Sequence, residues 1–333
     1  MPSHERLITK DNLFSHFSLK KRPWQEDYLA MYTSQWHGYV TDPALMMVPV
    51  DDHMVHRGDG VFDVMRCING RIYQMEAHLR RLERSARAID LELPPEYSDI
   101  REIIQSLVLT GGEKECLIRV FLSRGPGGFS ANPFECPASQ MYIIVIRYHE
   151  LPGEYYIEGI PVVISEVPIK KSFFATVKSC NYLPNVLVKM GAVRAGCQYA
   201  VVLDDDGFLA EGATENICIL SMDGVLKFPG FEKILAGITA ERIFELANVA
   251  VTEEIIKGVC FDKISVEEAC RSSEIMLMGT SINIVPVVSF DGKPIGHGRP
   301  GPLYSKLSDL LGRDMKENPK LLTKIEWGEN QHE

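Results

Sequence analysis

Apolar and β-branched residues dominate the chain from Val61 to Cys67, and after Asn69-Gly70 a second such stretch runs from Arg71 to Met75. Asn-Gly between two strand-like runs is the strongest short turn signal, so this pattern predicts a β-hairpin. The period then changes. Leu79, Leu82, Ala86 and Ile89 recur every three or four residues, with Glu76 near the start and Arg80, Arg81, Arg84 and Arg87 further along, which predicts a helix directly after the hairpin. Ile100 to Leu109 reads as a second helix. Strands are expected at Cys116 to Ser123 and Met141 to Tyr148, on either side of the glycine-rich Arg124-Gly125-Pro126-Gly127-Gly128.

A comparable mixture follows Leu151-Pro152-Gly153-Glu154, the best linker in the sequence. Ile160 to Val167 reads as a strand and Leu183 to Val193 as a helix. Tyr199 to Phe228 reads as hairpins turned at Asp206-Gly207 and Asp223-Gly224. Helices near 238–248 and 302–312 flank a strand pair between Glu274 and Phe290. The expected organisation is an N-terminal extension over 1–31 without periodicity, a small domain over 32–150, a linker at 151–154 and a large domain over 155–333. Mixed strands and helices in both halves give an α+β fold of two lobes, without internal repeats.

Composition narrows the class. The chain has 333 residues, 45% hydrophobic and 24% charged, enough for two domains with a sizeable core rather than disorder. A net charge of −10 argues against nucleic acid or an anionic membrane as partner, since a phosphate footprint needs surplus Lys and Arg. No apolar signal segment and no run of about 18 uncharged apolar residues is present, so a soluble cytoplasmic protein is expected. Eight scattered cysteines include no C-x-x-C pair, and the nine histidines include no H-E-x-x-H. Reduced, mostly buried cysteines and no protein-built metal site are therefore expected.

Phosphate-loop, dinucleotide and nucleophile-elbow motifs are absent. Asp204-Asp205-Asp206-Gly207 lacks the alternation of a calcium loop and reads as a turn. Lys178 lies between the apolar run Phe173-Phe174-Ala175-Thr176-Val177, expected to be extended, and a helix whose inward face would carry Leu183, Val186, Leu187, Met190 and Val193. An amine at such an interior junction loses proton affinity and can attack a carbonyl, whereas a surface lysine would have neither property. Glu211 ends an apolar strand before Gly212, so its carboxylate needs a cationic partner: a protonated pyridine nitrogen, or an ordinary structural ion pair. Arg81, Gly237-Ile238-Thr239 and Gly279-Thr280-Ser281 could together form a phosphate cup, although glycine-threonine pairs are often simple caps.

Taken in order, six segments resemble the class IV, or fold-type IV, pyridoxal-phosphate aminotransferases. They are His56-Arg57-Gly58-Asp59-Gly60-Val61-Phe62-Asp63, His78-Leu79-Arg80-Arg81-Leu82, Val177-Lys178-Ser179-Cys180-Asn181-Tyr182, Glu211-Gly212-Ala213-Thr214-Glu215-Asn216, Gly237-Ile238-Thr239 and Gly279-Thr280. The likeness covers about residues 32 to 312 and is nearest the plant-type D-amino-acid aminotransferase-like subgroup, with branched-chain enzymes beside it. It implies a small α/β lobe, a larger lobe with a mixed, barrel-like sheet, and a homodimer. It also implies pyridoxal 5'-phosphate bound to Lys178 as a Schiff base, with Glu211 on the pyridine nitrogen and Tyr182 on the phenolic oxygen. Arg81, Ile238, Thr239, Gly279 and Thr280 would hold the phosphate.

The implied reaction is ping-pong transamination between an amino acid, of D- or branched-chain type, and a 2-oxo acid. The alternatives are an aminodeoxychorismate lyase releasing pyruvate and a non-catalytic pyridoxal-phosphate-binding protein. Branched-chain enzymes carry a tyrosine where Arg57 stands and Tyr-Ile-Arg where this chain has Leu117-Ile118-Arg119, and the Arg-x-His trap of bacterial D-amino-acid enzymes is missing from the loop after Arg119. Phe62, Arg57, Arg119, Arg124 and Ser281 are the candidate substrate residues, with Arg57 expected to grip the carboxylate and Arg119 or Arg124 to assist.

Overall fold

Two sheets organise the computed structural model, which describes residues 7–17 and 22–327. Ahead of the first lies a one-turn helix, α1 (Leu13–Phe17). The first sheet contains β1 (Tyr28–Thr33), β2 (Gly38–Val40), β3 (Gly60–Ile68), β4 (Arg71–Tyr73), β5 (Cys116–Ser123) and β6 (Gln140–Arg147). A short helix, α2 (His53–Arg57), leads into β3. The predicted hairpin is β3–β4, where Asn69 and Gly70 take the positive φ values of 50° and 72° that a tight primed turn requires.

The two predicted helices are α3 (Met75–Ala88) and α4 (Ile100–Gly111). Leu79, Leu82 and Ala86 on α3 and Ile104 and Leu107 on α4 pack against Val61, Met65, Ile118 and Val120 of the sheet, and all are buried. Each fully buried leucine or isoleucine contributes about 1.5–3 kcal/mol relative to exposure, so this face of α3 fixes the helix on the sheet.

A short helix, α5 (Gly153–Ile157), begins inside the proposed linker and leads to the second sheet. That sheet is mixed: β12-β11-β10-β13-β14-β7-β8-β9, with β15 (Lys293–Pro294) on β14. Its strands are β7 (Ile160–Ile164), β8 (Tyr199–Leu203), β9 (Leu209–Gly212), β10 (Asn216–Leu220), β11 (Val225–Phe228), β12 (Gly258–Phe261), β13 (Glu274–Gly279) and β14 (Asn283–Phe290). It curls so that edge strand β9 returns to β10, where Gly212 N–H donates to Glu215 O at 2.7 Å. Helices α6 (Ser172–Thr176), α7 (Leu183–Arg194), α8 (Ile238–Thr252), α9 (Val266–Arg271) and α10 (Pro302–Glu317) complete the lobe. Among the described residues no helix is long and apolar enough to cross a membrane.

Several expectations need correction. Strand β1 starts at Tyr28, inside the stretch read as an extension, and β16 (Leu322–Lys324) pairs with β4 rather than with the large lobe. Ile325 joins the small-lobe core behind it. The run before Lys178 winds into α6, because Phe174 N–H and Ala175 N–H find Lys171 O and no described strand lies alongside to pair with them. On α7 the stripe Leu183, Val186, Leu187, Met190 and Val193 faces outward; Leu183 is 65% and Val193 57% exposed, while Val188 and Ala192 face in. Helical spacing defines a shared face without saying which side of it meets the core. All eight cysteines are free, three of them buried and five only partly so.

Candidate active site

Lys178 is placed by a zipper between the lobes. Phe62 N–H donates to Lys178 O at 3.0 Å, Cys180 N–H to Gly60 O at 2.8 Å, and Lys178 N–H to Ser85 Oγ at 3.2 Å. The segment therefore runs beside β3 and over the face of α3 that carries His78, Arg81 and Ser85, three and four residues apart. Only 9% of Lys178 is exposed, and its amine lies 4.6 Å from the Phe62 ring centroid and 5.8 Å from that of Tyr182. Burial, aided by the Arg81 charge, lowers the amine to about 8.

Arg81 is held from below. Its Nε donates to Asp63 Oδ2 and one terminal nitrogen to Asp63 Oδ1, both at 2.8 Å, while the other terminal nitrogen donates to Ala236 O at 3.1 Å. His78 Nδ1 lies 2.7 Å from Asp63 Oδ1. Burial alone would raise the Asp63 carboxyl, but Arg81 and His78 outweigh it and hold the group well below the usual range. Burial also lowers His78, and Arg81 is raised by Asp63 against its own desolvation.

Beside Arg81 stands the N-terminus of α8, with Gly237 as its cap and Ile238 and Thr239 in its first turn. A Cβ at Gly237 would overlap Asn216 Oδ1, so a larger residue there would push the Asn216 side chain aside. Thr280, just beyond β13, closes the third side. Guanidinium, helix N-terminus and hydroxyls make an anion cup.

The cup and Lys178 line one cavity of about 360 Å³, together with Phe62, Tyr182, Arg119 and Ser281. A small adjoining cavity joins Lys178 and Tyr182 to Glu211. Glu211 Oε2 accepts from Leu235 N–H at 3.2 Å, and burial raises its carboxyl to about 7 against that bond and the nearby Lys170 and Lys178 charges. Burial likewise raises the Tyr182 phenol far above its ordinary value.

The cationic substrate candidates separate clearly. Arg119 on β5 reaches the cavity, and its Nε is sealed from solvent without a hydrogen-bond partner. Arg57 does not line the cavity; its guanidinium donates to His56 O at 2.9 Å and to Phe129 O. Arg124 is spent on Asp59, Ile89 O and Asp90 O, at 2.6 to 3.3 Å. Of the three arginines, Arg119 is the one that lines the cavity within one chain.

Sequence reasoning missed Asp63 and His78 as braces for Arg81, although both stand in the family-like motifs. It also missed Val64, Phe121, Cys180 and Asn216, which line the cavity. Alternation along β3 and β5 could have found Val64 and Phe121, because Phe62, Val64, Arg119 and Phe121 share one face of the paired strands.

A family model described as amino-transferase class IV matches residues 60–290. The chain is 41% identical over 295 residues to the D-amino-acid transaminase, chloroplastic, of Arabidopsis thaliana, covering 88% of this chain and 78% of that protein. It is 32% identical over 274 residues to the putative branched-chain-amino-acid aminotransferase of Methanocaldococcus jannaschii, covering 82% and 93%. Among solved structures, the branched-chain amino acid aminotransferase of Escherichia coli superposes with a TM-score of 0.81 at 26% identity, over 90% of this chain and 99% of that one. The enzyme of the same name from Thermobaculum terrenum, solved in its PLP-bound holo-form, gives 0.76 at 21% identity over 90% and 99%. These neighbours carry the expected fold-type IV architecture.

Proposed function

Because the chain belongs to the class IV aminotransferases, we propose that it transfers an amino group between an amino acid and a 2-oxo acid in ping-pong fashion, with pyridoxal 5'-phosphate held at Lys178. One observation carries the residue assignment. A buried amine lowered to about 8 shares one cavity with a braced guanidinium and the adjoining cavity with a carboxyl raised to about 7.

The residues fit that cofactor. A neutral amine suits its aldehyde, the Tyr182 hydroxyl suits its phenolic oxygen, and a carboxyl with a single backbone donor, Glu211, suits a protonated ring nitrogen. Arg81, Ile238, Thr239, Gly279 and Thr280 surround the place for its phosphate. When bound, the cofactor supplies an electron-withdrawing ring that stabilises negative charge at the amino acid Cα.

The protein's own groups then divide the work. Lys178 Nζ, neutral above about 8, would take the proton from the substrate Cα and deliver it to the cofactor C4′. Glu211 in its ionised form keeps the ring nitrogen cationic. Phe62 and Phe121, stacked with centroids 5.8 Å apart, exclude water from one wall. Arg119, which lines the cavity, grips a substrate carboxylate with its guanidinium.

The donor proposed first is a D-amino acid, supported by the name of the 41% identical relative, with a branched-chain L-amino acid as the alternative. We place the working form as a homodimer, supported by the exposed apolar stripe of α7 and by Phe173 and Phe174 beside it, each 53% exposed. The small lobe, about 32–150 with the returning tail, and the large lobe from about 155 onward act as the two domains.

The test is an absorption spectrum of the purified protein, followed by single-turnover additions of D-alanine, L-leucine, L-glutamate and aminodeoxychorismate. Conversion to the pyridoxamine form with one stereochemical class supports the reading and selects the donor. Pyruvate release without that conversion means a lyase. A borohydride-stable adduct persisting in Lys178→Ala overturns the lysine assignment.

A further inference from the structure

The turn from β13 to β14 carries Thr280 and Ser281 into the cavity, and it is a three-residue turn closed by Asn283 in the left-handed region, at φ 58°. Its inner bond, Ile282 N–H to Gly279 O, is a long 3.2 Å. Three side chains from outside the large lobe's sheet reach it from behind. Arg66 of β3 donates to Asn283 Oδ1 at 2.9 Å, Tyr148 after β6 donates to Ser281 O at 3.4 Å, and Tyr156 of α5 donates to Ile282 O at 3.2 Å.

These tethers are themselves anchored. The Arg66 guanidinium lies 3.7 Å from the Tyr148 ring centroid, Glu115 approaches it at 3.8 Å, and Tyr304 of α10 donates to Tyr156 O at 3.0 Å. Arg66 is 9% exposed, a costly burial that the cavity chemistry described above does not use. Because Arg66 and Tyr148 belong to the small lobe and Tyr156 to the connection between lobes, the turn's position depends on how the lobes dock.

We propose that Arg66, Tyr148 and Tyr156 form an interlobe latch of positioning residues that sets the Thr280–Asn283 turn, and through it the rim of the substrate cavity. None of the three touches the cavity's reacting end; they act through Ser281, Ile282 and Asn283. The consequence for substrate rests on the reading of this cavity as the amino-acid site, whereas the latch itself does not.

Arg66→Gln, Tyr148→Phe and Tyr156→Phe are compared with the wild-type holoenzyme by hydrogen–deuterium exchange across Gly279–Asn283 and by separate KM and kcat values. Losing one tether should speed exchange there about fivefold or more without changing exchange in α3 or β5. It should also raise KM for the amino donor roughly three- to tenfold, with kcat within about twofold, since a misplaced rim weakens ground-state and transition-state binding alike. If Arg66→Gln fails to fold, the two Phe variants, each lacking a single hydroxyl, read the same turn. Unchanged exchange in both overturns the latch, and a fall in kcat with unchanged KM overturns its role at the rim. Accelerated exchange in a protein that does not transaminate overturns the proposed function and leaves the latch standing.

Discussion

Asp63 and Arg81 meet in a bidentate pair on the floor of the anion cup, two N–H donors each 2.8 Å from the carboxylate oxygens. Asp63 is fully buried and Arg81 is 5% exposed, so each ion depends on the other for compensation. Replacing Asp63 by Asn leaves the guanidinium uncompensated, and breaking such a pair costs about 3–5 kcal/mol. A phosphate in the cup would then supply the missing counter-charge. The expected outcome is a large loss of stability in cofactor-free Asp63→Asn, with inorganic phosphate raising its melting temperature more than that of the wild type. Equal phosphate shifts in the two proteins would show that Arg81 does not face the anion.

Lys178 and Glu211 make opposite contributions to stability against pH. In the folded, cofactor-free protein Glu211 keeps its proton up to about 7, against an ordinary 4.5, so the native state binds the extra proton and stability falls as pH rises through that window. Lys178 releases its proton at about 8, against 10.5 when unfolded, so the unfolded state binds more protons and stability rises between those values. Together they predict a dip between about 7 and 8. Urea unfolding across pH should show that Glu211→Gln flattens the acid limb and Lys178→Met the alkaline limb. A wild-type slope retained in Glu211→Gln between about pH 5 and 7 would remove Glu211 from this role.

These groups were legible in the sequence because each stands at a break in a local pattern. Lys178 follows an apolar run, Glu211 ends a strand before glycine, and Arg81 sits off the apolar stripe of its helix. The partners were not legible, because Asp63 and Ala236 O come to Arg81 from separate segments and His78 acts on it only through Asp63. For the same reason Arg57 was expected to lead, with Arg119 or Arg124 as its helper. Only the fold shows that Arg124 is consumed by Asp59 and two carbonyls while Arg119 is left facing the cavity. The tail strand β16 escaped notice because three residues carry too little periodicity to announce a return to β4.

That distinction among the arginines makes a kinetic prediction. Losing a charge-assisted contact of about 1.5–3 kcal/mol corresponds to a roughly 10- to 150-fold weaker carboxylate interaction. Arg119→Gln should therefore raise KM for the amino acid by about that factor and leave the cofactor spectrum intact. Arg57→Gln, whose guanidinium serves His56 O and Phe129 O, should stay within about threefold. Steady-state kinetics with both substrates decides it, and the reverse ranking would return the carboxylate role to Arg57.

The outward stripe of α7 supplies a separate prediction about assembly. Leu183, Val186 and Val193 are each more than half exposed, on a helix whose Ala192 is fully buried against the large lobe. Apolar residues gathered on one exposed face mark a contact with another surface, and the proposed homodimer would supply it with a second copy of the chain. Val186→Glu places a charge in that contact without touching the lobe's own core, so the monomer should fold with an unchanged far-ultraviolet spectrum while sedimentation velocity reports loss of the dimer. Ala192→Glu serves as the contrast, since a carboxylate forced into the core should unfold the lobe itself. A Val186→Glu protein that sediments as the wild-type dimer would place the interface on another face.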